Sequence, residues 1–286
     1  MKVEILEPSG CCAGVNRAIS MAIQARKENP SLPIYVLGML VHNESVISSL
    51  NELNIITLKD APILDLLNKI NEGVVIFTAH GHDESLDKLA KNKGLTIYDT
   101  TCGFVKYNHG LIKDALNNDH QVIFIGKKGH PETEASLSLS NDVVLYDIKD
   151  GVDYEKIRDN APIVICQTTL SIYEVENIKK DILNHFKEAK ITKSICNATT
   201  DRQTALNNIN QASDLILIVG SAMSSNTSKL FDISKKLYPN KEIKQIKTVN
   251  ELVNSNLSKF KYATIVGGAS TPSNVLNEIK KYLEAI

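Results

Sequence analysis

Three cysteines divide the chain of 286 residues into nearly equal thirds. Cys12, Cys102 and Cys196 lie 90 and 94 residues apart, and each follows a turn-forming or polar stretch and opens a segment with a helical pattern. Each third also has two polar loops that follow strand-like runs at similar distances from the cysteine. This repeat predicts three copies of one α/β unit, whose loops line a shared crevice at the carboxyl ends of the strands.

Short apolar runs alternate with amphipathic segments along the chain. After Cys12, apolar residues recur at the three- and four-residue spacing of one helix face. Strand-like runs cover residues 1–7, 34–37, 74–77, 122–125, 163–165, 215–219 and 263–266. The alternation predicts an α/β protein with mostly parallel sheets. We expect three units, at residues 1–100, 101–194 and 195–286.

Charge and hydropathy exclude several classes of protein. The 32 basic and 33 acidic residues give a net charge of −1, which disfavours the broad basic surface of nucleic-acid-binding proteins. No apolar run approaches the roughly 20 residues that span a bilayer, and the N-terminus lacks the apolar stretch of a secretory signal. We therefore expect a cytoplasmic protein without nucleic-acid or membrane partners.

The cysteine count indicates unpaired thiols. Five cysteines cannot all pair, and disulfides are rare in a reducing compartment. Cys166 ends an apolar run and is expected in the core, whereas Cys12, Cys102 and Cys196 open helices, where the helix dipole stabilises a thiolate. A structural zinc site normally has four ligands and a closely spaced pair, which this pattern lacks. An iron–sulfur cluster held by three thiolates, with one iron open to substrate, is a better match. The sequence indicates no role for Cys11.

Six loops carry a hydrogen-bond donor where a strand gives way to a helix. The donors are His42, His80, His130, Thr168, Ser224 and Ser270. Any one of them alone is better explained as a helix cap, but six together favour an anion site, and phosphate is its usual occupant. Glu132 lies beside His130 and adds a carboxylic acid. The combination indicates reductive or dehydrating chemistry on a small phosphorylated alcohol.

The motifs resemble those of the LytB-type 4-hydroxy-3-methylbut-2-enyl diphosphate reductases of the non-mevalonate isoprenoid pathway, in the same order from Gly10 to about Pro272. They are Cys12-Ala13-Gly14-Val15, Val41-His42-Asn43, Ala79-His80-Gly81, Thr101-Cys102, Gly129-His130-Pro131-Glu132, Gln167-Thr168-Thr169-Leu170-Ser171, Cys196-Asn197-Ala198-Thr199-Thr200, Ser224-Ser225-Asn226 and Gly268-Ala269-Ser270. Two local departures are the second cysteine, Cys11, and Gly103 at a position where the family often has Pro.

The resemblance implies a trefoil-like, pseudo-three-fold arrangement of the units around a central cavity. It also implies a [4Fe–4S] cluster on Cys12, Cys102 and Cys196, with one open iron for the allylic hydroxyl of the substrate. The implied catalytic residues are Glu132, which supplies a proton, with Thr168 and His130. The implied diphosphate-binding residues are His42, His80, His130, Thr168, Ser224, Ser225, Asn226 and Ser270.

The implied reaction removes the hydroxyl as water with two electrons and gives isopentenyl and dimethylallyl diphosphate. No G-x-G-x-x-G dinucleotide fingerprint with a downstream acid occurs in the sequence, so the electrons are expected from a small redox protein, ferredoxin or flavodoxin.

Two other interpretations are compatible with the cysteine pattern. A three-cysteine iron–sulfur dehydratase or a quinolinate-synthase-like enzyme would favour carboxylate substrates, often bound by arginine, yet Arg17, Arg26, Arg158 and Arg202 all lie outside the six loops. A non-catalytic phosphate-binding or metal-sensing protein has no need of Glu132 beside an open iron.

Overall fold

The computed structural model describes residues 1–253 and 255–286. Over these ranges the strands are β1 Lys2–Leu6, β2 Ile34–Leu37, β3 Ile55–Leu58, β4 Val74–Phe77, β5 Thr96–Asp99, β6 Val122–Gly126, β7 Val143–Asp147, β8 Ile163–Cys166, β9 Lys190–Ile191, β10 Leu215–Val219, β11 Glu242–Ile246 and β12 Tyr262–Gly267. The helices are α1 Ala13–Glu28, α2 Glu44–Glu52, α3 Ile63–Asn68, α4 Ser85–Asn92, α5 Gly103–Asn117, α6 Pro131–Leu137, α7 Ile172–His185, α8 Asn197–Ala205, α9 Ser225–Leu237 and α10 Ser273–Glu284.

The strands form three four-stranded sheets. Sheet I has the order β3-β2-β4-β5, sheet II the order β7-β6-β8-β9, and sheet III the order β1-β12-β10-β11. All neighbouring strands in these sheets are parallel. The predicted α/β class with three parallel-sheet units is confirmed. In the described part of the chain, no helix combines the length and apolarity needed to cross a membrane.

The inner strands of each sheet are the ones that the sequence predicts best. These strands are β2 and β4, β6 and β8, and β10 and β12, and each coincides with a predicted apolar run. Every residue of β4, β6, β10 and β12 is buried. A strand covered on both faces reads as a continuous apolar run, which makes it visible in the sequence.

The chain divides into two compact units. The first comprises Met1–Val15, His42–Glu44 and Asn197–Ile286 and contains sheet III. The second comprises Asn16–Val41 and Ser45–Cys196 and contains sheets I and II. We call them the first and the second compact unit.

Strand β1 does not join the sheet of the residues that follow it. It pairs with β12, with Lys2 opposite Tyr262 and Leu6 opposite Val266. The prediction that residues 1–100 form one unit is therefore wrong for this strand. In each sheet, one edge strand leads into a cysteine and pairs with the inner strand that is followed by the second polar loop. These edge strands are β5 in sheet I, β9 in sheet II and β1 in sheet III. The remaining unit boundaries stay a prediction.

Both faces of sheet III are covered by helices. Leu217 of β10 packs in one core cluster with Ile279 and Leu283 of α10, and Ile218 packs on the other side with Leu230 of α9. Burying each such side chain contributes about 1.5–3 kcal/mol. The strand ends, and the polar loops that follow them, are thereby held in fixed positions.

In the second compact unit, α5 connects sheet I to sheet II. It begins directly after Cys102, which follows the edge strand β5 of sheet I. Its residue Ile112 packs in one core cluster with Phe124 and Ile165 of sheet II. The Cys102 loop is therefore anchored through both sheets.

Candidate active site

Each of the three spaced cysteines immediately precedes a helix. Helix α1 begins at Ala13, α5 at Gly103 and α8 at Asn197. Cys12, Cys102 and Cys196 are half-buried, so their thiol groups are within reach of a ligand. The predicted placement at helix N-termini is confirmed.

An equivalent backbone hydrogen bond holds each of these cysteines. The N–H groups of Cys12, Cys102 and Cys196 donate to carbonyl oxygens at distances of 2.9, 3.0 and 3.2 Å. The acceptors are Ala269, Ala79 and Thr168, and each lies two residues beyond the end of an inner strand. The repeat predicted from spacing is therefore also a repeat of backbone hydrogen bonding. Each cysteine is tied to the loop that carries a predicted substrate-binding residue.

The other two cysteines have different surroundings. Cys166 is buried in the core of sheet II, as predicted, and burial raises the pKa of its thiol to about 11. Burial likewise raises the pKa of Cys11 to about 11. Both side chains are thus protonated thiols near neutral pH. Within the described ranges, no three His, Cys, Asp or Glu side chains form a site for a single metal ion.

Glu132 is a buried carboxyl group held by one partner residue. It is the second residue of α6 and is 2% exposed. Its Oε1 accepts a hydrogen bond of 2.7 Å from the Thr168 backbone N–H, and its Oε2 accepts one of 2.8 Å from the Thr168 hydroxyl. Burial raises the pKa of Glu132 to about 7, although both hydrogen bonds act to lower it. The side chain is therefore suited to give or take a proton near neutral pH.

The local sequence explains the position of Glu132. His130 caps α6 and Pro131 occupies its first position, where the missing N–H costs nothing. The His130 Nδ1 accepts the backbone N–H of Glu132 at 3.2 Å, which leaves the Nε2 as the protonated nitrogen of the neutral ring.

A second imidazole lies against His130. The ring centroids of His80 and His130 are 5.7 Å apart in an edge-to-face arrangement, and the Thr78 hydroxyl lies 3.2 Å from the His80 Nδ1. The second compact unit therefore brings together four predicted site residues: His80, His130, Glu132 and Thr168.

The first compact unit brings together predicted residues from three loops. The Ser270 hydroxyl donates to the His42 carbonyl at 3.3 Å, and the Ser270 carbonyl accepts from the Asn43 side chain at 2.8 Å. The Asn226 Oδ1 accepts the backbone N–H of Ala269 at 3.0 Å. His42, Asn226 and Ser270 are thus joined through their loops.

The start of α9 presents a buried donor. Ser224 caps this helix and accepts the Thr227 backbone N–H, and Ser225 is the first helical residue. The Nδ2 of Asn226 is buried and has no partner in the described part of the chain. A buried donor of this kind at a helix N-terminus suits an anionic ligand. Gly220, at the end of β10, keeps the loops close together, since a Cβ there would lie 2.7 Å from the Thr227 hydroxyl.

The comparison with protein families covers nearly the whole chain. The model described as LytB protein matches residues 3–284. The chain belongs to the LytB family. LytB relatives named 4-hydroxy-3-methylbut-2-enyl diphosphate reductase are 37% identical in Bacillus thuringiensis and 36% identical in Bacillus cytotoxicus. Each alignment covers 99% of this chain and 90% of the relative.

Solved LytB-type structures share the fold. The E-1-hydroxy-2-methyl-but-2-enyl-4-diphosphate reductase from Plasmodium falciparum superposes with a TM-score of 0.85 at 29% identity, over 99% of this chain and 87% of that one. A second structure is of (E)-4-hydroxy-3-methyl-but-2-enyl diphosphate reductase, described as the terminal enzyme of the non-mevalonate pathway. It has a TM-score of 0.71 at 29% identity, with full coverage of both chains.

Sequence reasoning missed three polar residues beside the cysteine loops. Arg202 is 5% exposed and donates to the carbonyl of Gly10, and Asn108 is 1% exposed and donates to the carbonyl of Ser194. Arg17 donates to the carbonyl of Thr101. All three acceptors lie just before a cysteine. One sequence signal could have found them: each lies five or six residues after one of the three cysteines, in the second turn of the helix that follows it.

Proposed function

We propose that this chain is a 4-hydroxy-3-methylbut-2-enyl diphosphate reductase that removes the allylic hydroxyl as water with two electrons and two protons. The reaction breaks the carbon–oxygen bond and gives isopentenyl and dimethylallyl diphosphate. The observation that carries the proposal is the buried Glu132–Thr168 pair, a proton donor with a pKa of about 7 in a chain of the LytB family. The dehydratase, quinolinate-synthase-like and non-catalytic alternatives are not favoured by the named relatives.

The donor set fits an iron–sulfur cofactor, which the LytB family implies. Cys12, Cys102 and Cys196 offer three half-buried thiols at helix N-termini, and cysteine sulfur is the usual protein ligand of such clusters. We propose that these three thiolates hold one [4Fe–4S] cluster with an open iron. When bound, such a cluster supplies electrons and a Lewis-acidic iron.

Glu132 is the proposed acid. Its proton would pass to the leaving hydroxyl group, either directly or through the Thr168 hydroxyl to which it is bonded. Because hydroxide is a poor leaving group, protonation is the step that lets the oxygen leave as water. His130 holds the backbone of Glu132 through its Nδ1, and its imidazole is proposed to contact the substrate.

The diphosphate is the proposed ligand of the remaining donors. His42, His80 and His130 provide imidazole groups, and Ser224, Ser225, Asn226, Thr168 and Ser270 provide hydroxyl and amide donors. Support comes from the Nδ2 of Asn226 at the start of α9, which is buried and has no hydrogen-bond partner among the described residues. Electrons are proposed to come from a ferredoxin or a flavodoxin, and the protein is proposed to be cytoplasmic.

An anaerobic assay tests the proposal. Iron-loaded protein, reduced by a one-electron dye, is expected to consume 4-hydroxy-3-methylbut-2-enyl diphosphate and to form the two five-carbon diphosphates. Protein that contains a full complement of iron and sulfide but leaves this substrate unchanged would exclude the reductase function.

Replacement of His42 by Phe is expected to weaken the binding of inorganic diphosphate by about tenfold or more, because a charge-assisted donor is lost. Cys166→Ala is the control, since Cys166 lies in the core of sheet II. Isothermal titration calorimetry measures both affinities. Equal, small effects of the two substitutions would remove His42 from the anion site.

Turnover is expected to fall as the pH rises through about 7, because Glu132 then loses the proton that it donates. The free energy of unfolding should also depend on the titration of Glu132. Its folded pKa of about 7 lies above the ordinary 4.5, so its stabilising contribution is complete below pH 4.5 and is lost as the pH rises through 7. The loss amounts to ~3 kcal/mol.

The comparison of wild type with Glu132→Gln isolates this effect. Denaturant unfolding between pH 4.5 and 8 should show the free energy of unfolding of the wild type falling relative to that of the variant. A constant difference over this range would mean that the carboxyl group of Glu132 titrates at its ordinary pKa.

A further inference from the structure

Two of the loops that lead into the cysteines are held by side chains from the second compact unit. Arg17, in α1, donates from Nη1 to the carbonyl oxygen of Thr101 at 3.1 Å. Asn108, in α5, donates from Nδ2 to the carbonyl oxygen of Ser194 at 3.2 Å. Thr101 lies one residue before Cys102, and Ser194 lies two residues before the third cysteine. Each donor therefore belongs to the helix that begins at the preceding cysteine.

The third loop is held in the same way within the first compact unit. Arg202, in α8, donates from Nη2 to the carbonyl oxygen of Gly10 at 2.8 Å. Gly10 lies two residues before Cys12, and α8 begins directly after Cys196. The three bonds thus follow one cyclic rule: a donor five or six residues after one cysteine binds the segment that enters the next cysteine.

Two of these donors, Asn108 and Arg202, are buried and are therefore not ordinary solvent-exposed side chains. Asn108 also donates to the carbonyl of Cys166 at 3.0 Å, so its amide joins the end of β8 to the segment that precedes Cys196. Arg202 makes hydrogen bonds only to uncharged carbonyls among the described residues, those of Gly10 and Ala198. A buried guanidinium without a balancing anion is costly, so an anionic group near the Cys12 loop would stabilise it.

We propose that Arg17, Asn108 and Arg202 are positioning residues that hold the three cysteines in place for their cofactor. The proposal rests on the proposed function, in which these cysteines bind an iron–sulfur cluster. Each hydrogen bond restricts the segment before a cysteine, while the backbone bond from the N–H of the cysteine holds the cysteine itself. Loss of the side-chain bond would let the loop open and would speed release of the cluster.

Iron release from the anaerobically prepared full-length protein tests this proposal. In the presence of a chelator, Arg17→Met, Asn108→Leu and Arg202→Met are each expected to lose iron about tenfold faster than the wild type. Arg26→Met is the matched control, because Arg26 also donates to backbone carbonyls, those of Leu53 and Asn54, far from the cysteines in sequence. Wild-type release rates in all three test variants would overturn the proposal.

Alkylation of the iron-free full chain gives a readout that needs neither cluster nor substrate. Mass spectrometry resolves the rate at each thiol. The expected pattern is faster modification of Cys102 in Arg17→Met, of Cys196 in Asn108→Leu and of Cys12 in Arg202→Met. Equal acceleration at all three thiols, or acceleration at the cysteine that begins the mutated helix, would contradict the cyclic rule.

Two further measurements separate the outcomes. Arg202→Lys keeps the charge and one donor, so its iron release should lie between those of the wild type and Arg202→Met. Circular dichroism of each variant reports whether the fold is kept. A wild-type protein that never holds iron would refute the proposed function, whereas the alkylation pattern would still decide the role of the three donors.

Discussion

Glu132→Gln is expected to lower the reductase turnover number by about 10²–10⁴-fold, the usual contribution of a positioned general acid. The amide keeps the size of the side chain and can still accept the Thr168 N–H bond at Oε1. It cannot release a proton to a leaving hydroxyl group. Iron content and affinity for the substrate should therefore stay close to wild-type values, and single-turnover kinetics with reduced protein should show the loss in the chemical step.

Glu134→Gln is the matched control for this substitution. Glu134 lies two residues further along α6, is exposed, and accepts the Gly129 backbone N–H at 2.7 Å, a bond that a glutamine oxygen also accepts. Its turnover number should match that of the wild type. Comparable rates for Glu132→Gln and Glu134→Gln would remove Glu132 from the mechanism, and loss of iron in Glu132→Gln would assign it a structural role instead.

The parts of the fold that the sequence predicts are those in which one physical signal dominates. Inner strands such as β4 and β10 are apolar on both faces, and their continuous apolar runs predict them. The edge strands β9 and β11 carry lysine, glutamate and glutamine and are partly exposed, so their sequences do not stand out from loops.

The sequence does not show where each repeated unit begins and ends along the chain. The spacing of the cysteines gives the period, but it does not tell which strand each cysteine loop belongs to. The pairing of β1 with β12 decides this, and it joins residues separated by most of the chain. Pairing across such a distance leaves no local signal in Lys2–Leu6.

The predicted chemistry of the site depended on the loops. The sequence indicates His130 because its position before Pro131 is a helix-start signal, and it indicates Glu132 because this carboxylic acid lies beside His130. The roles of Arg202 and Asn108 were missed because their partners are backbone carbonyls, which every residue possesses. Which carbonyl each one binds is decided by the folded structure.

Cys102→Ser is expected to abolish most cluster binding while leaving the fold intact. Loss of one of three proposed thiolates should reduce bound iron by at least about tenfold, since even changes outside the ligand set cost 10–100-fold in metal affinity. The protein itself should not weaken, because Cys102 occupies the capping position of α5, where serine is a better residue than cysteine, and its N–H bond to Ala79 is unaffected.

Cys102→Ser should therefore lower the amount of bound iron without lowering the thermal stability of the chain. Iron analysis and visible absorbance of the anaerobic variant should show a nearly colourless protein, whereas the thermal midpoint of the iron-free chain should equal or exceed that of the iron-free wild type. Cys166→Ala should behave in the opposite way, with iron retained and the midpoint lowered, because Cys166 is packed in the core of sheet II. Retention of a full complement of iron by Cys102→Ser would exclude this cysteine as a ligand and would refute a site built on the three-fold spacing.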